Sequence, residues 1–99
     1  MRFEWDPKKD ERNRKKHGIA FELAQQVFRD PLALSVPDEE HSESEERWIT
    51  VGQAGRRLIV VVVHTYRDSG EDEAIRLISA RKATPKERKQ YMNLPGGPR

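Results

Sequence analysis

The chain contains no cysteine in its 99 residues. That absence excludes a disulfide framework, a thiolate nucleophile and cysteine-ligated zinc, and it fits a reducing compartment. Long apolar runs are missing as well. Nothing approaches the roughly 20 residues of a membrane helix, and Met1 to Glu4 lacks the basic-then-apolar order of a signal peptide. A cytoplasmic protein without a membrane partner is therefore expected. The histidines, His17, His41 and His64, share no metal-ligand spacing. Gly52 and Gly55 read as part of a hairpin turn rather than as a phosphate-binding loop. No metal and no cofactor is expected. His41-Ser42 does not revive hydrolytic chemistry, because no strand–turn–helix elbow surrounds Ser42.

What is present is charge. Charged residues make up 36% of the chain and hydrophobic ones 34%, so nearly every apolar cluster must belong to one thin core. The length fits a single domain, expected over residues 1–93, with 94–99 as a flexible Pro/Gly-rich tail. The net charge of +2 hides segregation. Lys8, Lys9, Arg12, Arg14, Lys15 and Lys16 crowd one segment, Asp38 to Glu46 form an acidic one, and Arg81, Lys82, Lys86, Arg88 and Lys89 a second basic one. Such patches attract polyanions despite a near-neutral total, or they are simply solvated faces.

Phe3-Glu4-Trp5 alternates as a short strand does. Asp6-Pro7 is an N-cap followed by a first-turn proline, and Gly18 ends a helix of about three turns. That helix has no apolar residue. It must pack through the stems of its Lys and Arg side chains or wait for a partner. Ala20, Leu23, Ala24, Val27 and Phe28 line one face of a second helix, stopped at Asp30-Pro31. Strands follow at Leu32 to Val36, Arg47 to Val51, Leu58 to Arg67 and Ala74 to Arg81, with turns at Gln53 to Arg56 and Asp68 to Asp72. Thr84-Pro85-Lys86-Glu87 is a capping box that starts a last helix, Pro85 to about Asn93. The order β-α-α-β-β-β-β-α describes an α+β fold: an antiparallel sheet with two N-terminal helices and one C-terminal helix, all on one face.

Strand alternation places His64 and Tyr66 with Leu58, Val60 and Val62, and puts Thr65 and Arg67 on the other side. In the next strand it groups Arg76 with Ile78 and Ala80, and Ser79 with Arg81. Arg81 ends its strand and begins a basic cluster one short loop before the helix of Tyr91. Its guanidinium fork suits phosphate, although an ion pair with the acidic loop would also explain it. His64, Tyr91 and Glu87 are candidate proton-transfer groups. Their plain alternatives are a partly buried strand histidine, a helix packing anchor, and the capping box itself.

Taken in order, Phe3-Glu4-Trp5-Asp6-Pro7, Asn13, Lys16-His17-Gly18, Phe21, Ala24 and Val27-Phe28-Arg29-Asp30-Pro31 resemble the opening of the BrnT toxin family. His41-Ser42, Glu45-Glu46-Arg47, Gly55-Arg56, Ile75 to Arg81, Ala83, and Glu87-Arg88 with Tyr91 continue the resemblance across nearly the whole chain. It implies a RelE-like fold, ribonuclease activity and translation inhibition. It also implies neutralisation by a BrnA-like ribbon-helix-helix antitoxin, through which alone operator DNA would be contacted. The expected chemistry is metal-free: the ribose 2′-hydroxyl attacks the adjacent phosphate, which only RNA permits. Arg81, with Arg67 or Arg76, would stabilise the transition state, while His64, Tyr91 or Glu87 would move protons. Arg56, Arg57, Lys82 and Arg88 would hold the RNA backbone. Regular alternation separates Arg76 from Arg81, so the two can act together only if a bulge or strand end intervenes. A non-enzymatic nucleic-acid-binding module and a pure protein-interaction domain are the alternatives.

Overall fold

The computed structural model describes residues 1–41, 45–69 and 72–93; the proposed tail, 94–99, and Ser42 lie outside them. Strand β1 (Arg2–Glu4) leads into helix α1 (Pro7–His17) and helix α2 (Phe21–Ala24), which tightens into a 3₁₀ segment, Gln25–Arg29. Strands β2 (Leu34–Pro37), β3 (Arg47–Ala54), β4 (Leu58–Ser69) and β5 (Asp72–Lys82) follow, and helix α3 (Pro85–Met92) comes last. The five strands form one sheet in the order β1-β5-β4-β3-β2. β2 to β5 are an antiparallel meander, as their short connections dictate. β1 departs from the expected pattern. It runs parallel to β5, with Phe3 opposite Ile75 and Glu4 opposite Arg76. No hairpin sets its direction, because the chain leaves β1 through the helices and returns at the opposite edge of the sheet.

The helices explain themselves locally. The Asp6 side chain accepts from the Lys8 amide at 2.9 Å, and Gly18 closes α1 at φ 74°, a conformation glycine adopts without strain. α1 docks through one buried polar residue rather than through lysine stems. The Asn13 amide nitrogen donates to the Ile19 and Ala80 carbonyls, each at 2.8 Å, and its oxygen accepts from the Ala80 amide at 3.0 Å. Behind it, Ile19, Phe21, Ala24 and Val27 pack on Val60, Val62, Ile75, Leu77 and Ala80 to form the core. Gly52 belongs to this packing and not to a turn. It sits within β3, where a Cβ would lie 3.0 Å from the Val27 Cβ. The turn proper holds Gly55 and Arg57, both at positive φ.

One irregularity decides what the sheet presents. Val63 pairs with Ser79 and His64 with Leu77, so Ile78 is an extra residue in β5. Such a bulge reverses the alternation beyond it. Arg76 therefore changes sides relative to the sequence expectation. It joins Ser79 and Arg81, on the face that also carries Ile59, Val61, Val63, Thr65 and Arg67. The helical core covers the other face. α3 does not join that layer as expected: it is tied to Arg81, which departs from the second face.

Candidate active site

Three arginines from two strands thus share the second face. Arg67 and Arg76 meet in a cleft of about 300 Å³, lined also by Glu4, Trp5 and Asp6. The parallel pairing of β1 with β5 brings Glu4 beside Arg76, and the Glu4 carboxylate accepts from Arg67 at 3.2 Å. Trp5 is fixed edge-on against Phe21, with ring centroids 6.1 Å apart. Arg81 stands four register steps from Arg76, or about 13 Å at the rise of a strand. The candidate arginines therefore converge in part: two in one cleft, the third further along the same face.

Arg81 is engaged by α3. Its two terminal nitrogens donate to the two Glu87 oxygens at 2.7 and 2.9 Å, the paired geometry that guanidinium and carboxylate favour. Glu87 also completes the capping box, accepting from the Thr84 amide at 2.8 Å. The bond from Arg81, with the Thr84 bonds, pulls the Glu87 pKa down to about 2 despite partial burial. The same bond raises that of Arg81. Glu87 is thus always ionised at neutral pH and a weak base while Arg81 holds it.

His64 is placed away from every candidate arginine. Regular alternation in β4 puts it on the helix-bearing face, where it is fully buried with its ring 4.8 Å from that of Phe28. The Thr50 hydroxyl lies 2.6 Å from its Nε2, and burial lowers its pKa to about 4. It is a neutral core residue. Tyr91 is buried too. Its hydroxyl donates to Asp30 at 2.5 Å, and burial together with the Asp30 carboxylate pushes its pKa up to about 12. Burial opposes ionisation of Asp30, but bonds from Tyr91, Gln53 and Leu32 outweigh it and hold the carboxylate below its usual range. Tyr91 therefore anchors α3, and Asp30 joins that helix to β3. Of the proton-transfer candidates, only Glu87 touches a candidate arginine.

The RNA-binding candidates gather at the Arg81 end of the sheet. Arg56 and Arg57 lie in the β3–β4 turn, Lys82 ends β5, and Arg88 is on α3; all are exposed. His41 pairs with Asp38 at 3.0 Å on the surface. Among the described residues no group of His, Asp and Glu is arranged to hold a metal ion, and no helix is long and apolar enough to cross a membrane. Sequence reasoning missed Glu4 and Trp5 as cleft residues and Asp30 as a junction. Phe3-Glu4-Trp5 was legible as a strand, but nothing local to it specifies β5 as its neighbour.

This arrangement belongs to the class of small ribonuclease toxins. It is similar to the crystal structure of the Brucella abortus ribonuclease toxin BrnT, with a TM-score of 0.64 and 27% identity over 85% of this chain and 97% of that one. Residues 5–87 match the sequence model of the ribonuclease toxin BrnT of type II toxin–antitoxin systems, and the chain belongs to that family. No curated protein matches it.

Proposed function

We propose that the chain cleaves RNA without a metal ion on the second face of its sheet, and that a BrnA-like ribbon-helix-helix antitoxin neutralises it in the cytoplasm. The observation that carries this reading is the bulge at Ile78, which sets Arg76 on one face with Arg67 and Arg81 and leaves Arg67 and Arg76 in a cleft with the carboxylates of Glu4 and Asp6. A phosphodiester entering that cleft would draw Arg67 away from Glu4, since a phosphate oxygen is an equally good partner for the fork. Glu4, released, would accept the 2′-hydroxyl proton as O2′ bonds to phosphorus. The O5′ leaving group would take a proton from water, and the hydroxide so formed would recover the proton held by Glu4, yielding a 2′,3′-cyclic phosphate and a free 5′-hydroxyl. The arginines supply fixed positive charge where the phosphorane develops negative charge, a contribution typically of about 3 kcal/mol for one such donor. Arg81, Arg56, Arg57, Lys82 and Arg88 continue the basic track for the neighbouring backbone.

The test is cleavage of an RNA oligonucleotide in EDTA by the wild-type chain and by Arg67→Ala, Arg76→Ala, Arg81→Ala and Glu4→Gln. Arg67→Ala, Arg76→Ala and Glu4→Gln should each lose about 100-fold or more in rate, and an oligonucleotide with a 2′-deoxy at the scissile position should survive. Salt-sensitive binding with no product would leave a nucleic-acid-binding module in place of an enzyme.

A further inference from the structure

We propose that the antitoxin docks across the second face of the sheet, anchoring apolar side chains on the β2–β3 edge and reaching the arginines with carboxylates. This rests on the toxin–antitoxin reading above and adds the surface that the partner takes. Leu34 and Val36 are 45% and 44% exposed and project from the same side of edge strand β2. The register places them against Val51 and Ile49, both half-buried, and those in turn against Val61 and Val63. Two aliphatic rows thus run from β2 toward β4, where Val63 is half-buried and Val61, at 2% exposure, is already covered within the chain, and on β5 they end at Arg81 and Ser79. Paired exposed aliphatics on an edge strand mark a contact surface, because neither packing nor solubility favours leaving them in water.

Charge selects the occupant. A second copy laid face to face would bring the arginines of the two chains toward one another, so a self-complementary interface is disfavoured. RNA would satisfy the arginines and leave Leu34 and Val36 wet. A protein segment with apolar residues toward one edge and acidic ones toward the other matches both. From β2 to β5 is about 14 Å at the usual strand spacing, little more than the width of one helix. Such a partner would cover Arg81 and approach the Arg67–Arg76 cleft, so it would exclude RNA by competition.

The experiment uses the full chain co-expressed with a BrnA-like antitoxin, with variants Val36→Lys, Leu34→Lys and the milder Val36→Thr. Val36→Thr keeps the β-branch should either lysine variant fail to fold. Each folded variant is expected to retain wild-type RNA cleavage and to lose at least tenfold in antitoxin affinity, with the lysines losing most. Arg76→Ala should weaken antitoxin binding and RNA binding together. Variants that bind the antitoxin as tightly as the wild type overturn the proposed surface and leave the toxin–antitoxin reading standing. A wild-type chain that binds no antitoxin removes both. Self-association of the chain alone, abolished by Val36→Lys, would reassign the strip to a second copy.

Discussion

Arg76 and Arg81 stand on one side of the sheet because Ile78, between them, has no partner on β4. Deleting that extra residue would make Ser79 and Leu77 consecutive partners of Val63 and His64, so Leu77 and Ile75 stay in the core and Arg76 keeps its side. Deletion of Ile78 should therefore leave cooperative unfolding in place, followed by circular dichroism in urea, and Ile78→Ala should fold as well. A deletion variant that fails to fold would show that the bulge itself, through the twist it adds, is required.

Asn13 replaces the apolar stripe that α1 lacks. Asn13→Ala leaves the Ala80 amide and two carbonyls without partners in a buried position. At about 1–3 kcal/mol for an unsatisfied buried group, and with some relief from water, the variant should lose about 3 kcal/mol. Denaturant melts measure this directly; a loss under about 1 kcal/mol would mean that α1 is held chiefly by something else.

The buried His64 makes stability depend on pH. Its folded pKa of about 4 lies below the 6.5 of a free imidazole, so between those values the unfolded chain binds more protons. This contribution is complete above pH 6.5 and is lost as pH falls toward 4, in all about 3 kcal/mol. Replacing His64 by Leu should flatten the stability profile across that window. An unchanged slope would place the titrating group elsewhere.

Tyr91 separates anchoring from chemistry. Tyr91→Phe removes the hydroxyl that Asp30 accepts and should cost about 1–3 kcal/mol of stability, with RNA cleavage below the melting range unchanged. A Tyr91→Phe chain that is stable yet inactive would instead make the phenol a participant in the reaction.

The layout of elements was legible in the sequence because its signals are local. Asp6-Pro7, Gly18 and the Thr84 capping box fix helix ends within a few residues, and alternation along Leu58 to Arg67 sorted the β4 face correctly. The misplacements have a common cause. The parallel seat of β1, the bulge at Ile78 and the strand position of Gly52 are set by partners far away in the chain. The switch of Arg76 needs a bulge, since alternation alone forbids it. His64 stays open in the sequence between a proton-transfer group and a partly buried strand residue, because only the position of Phe28 above it settles that the imidazole is buried. Arg81, singled out first, does face a carboxylate, but its partner is the helix that follows rather than the acidic loop.

The seating of β1 beside β5 has a consequence for biosynthesis. Synthesis proceeds from the N-terminus, so Glu4 and Trp5 emerge early and must wait for Arg76 before the pocket they share exists. A nascent chain halted anywhere before the fifth strand would carry two walls of the pocket and lack the third. Nearly the whole polypeptide is thus made before its arginine cleft exists, leaving an interval in which a waiting antitoxin can meet the newborn chain.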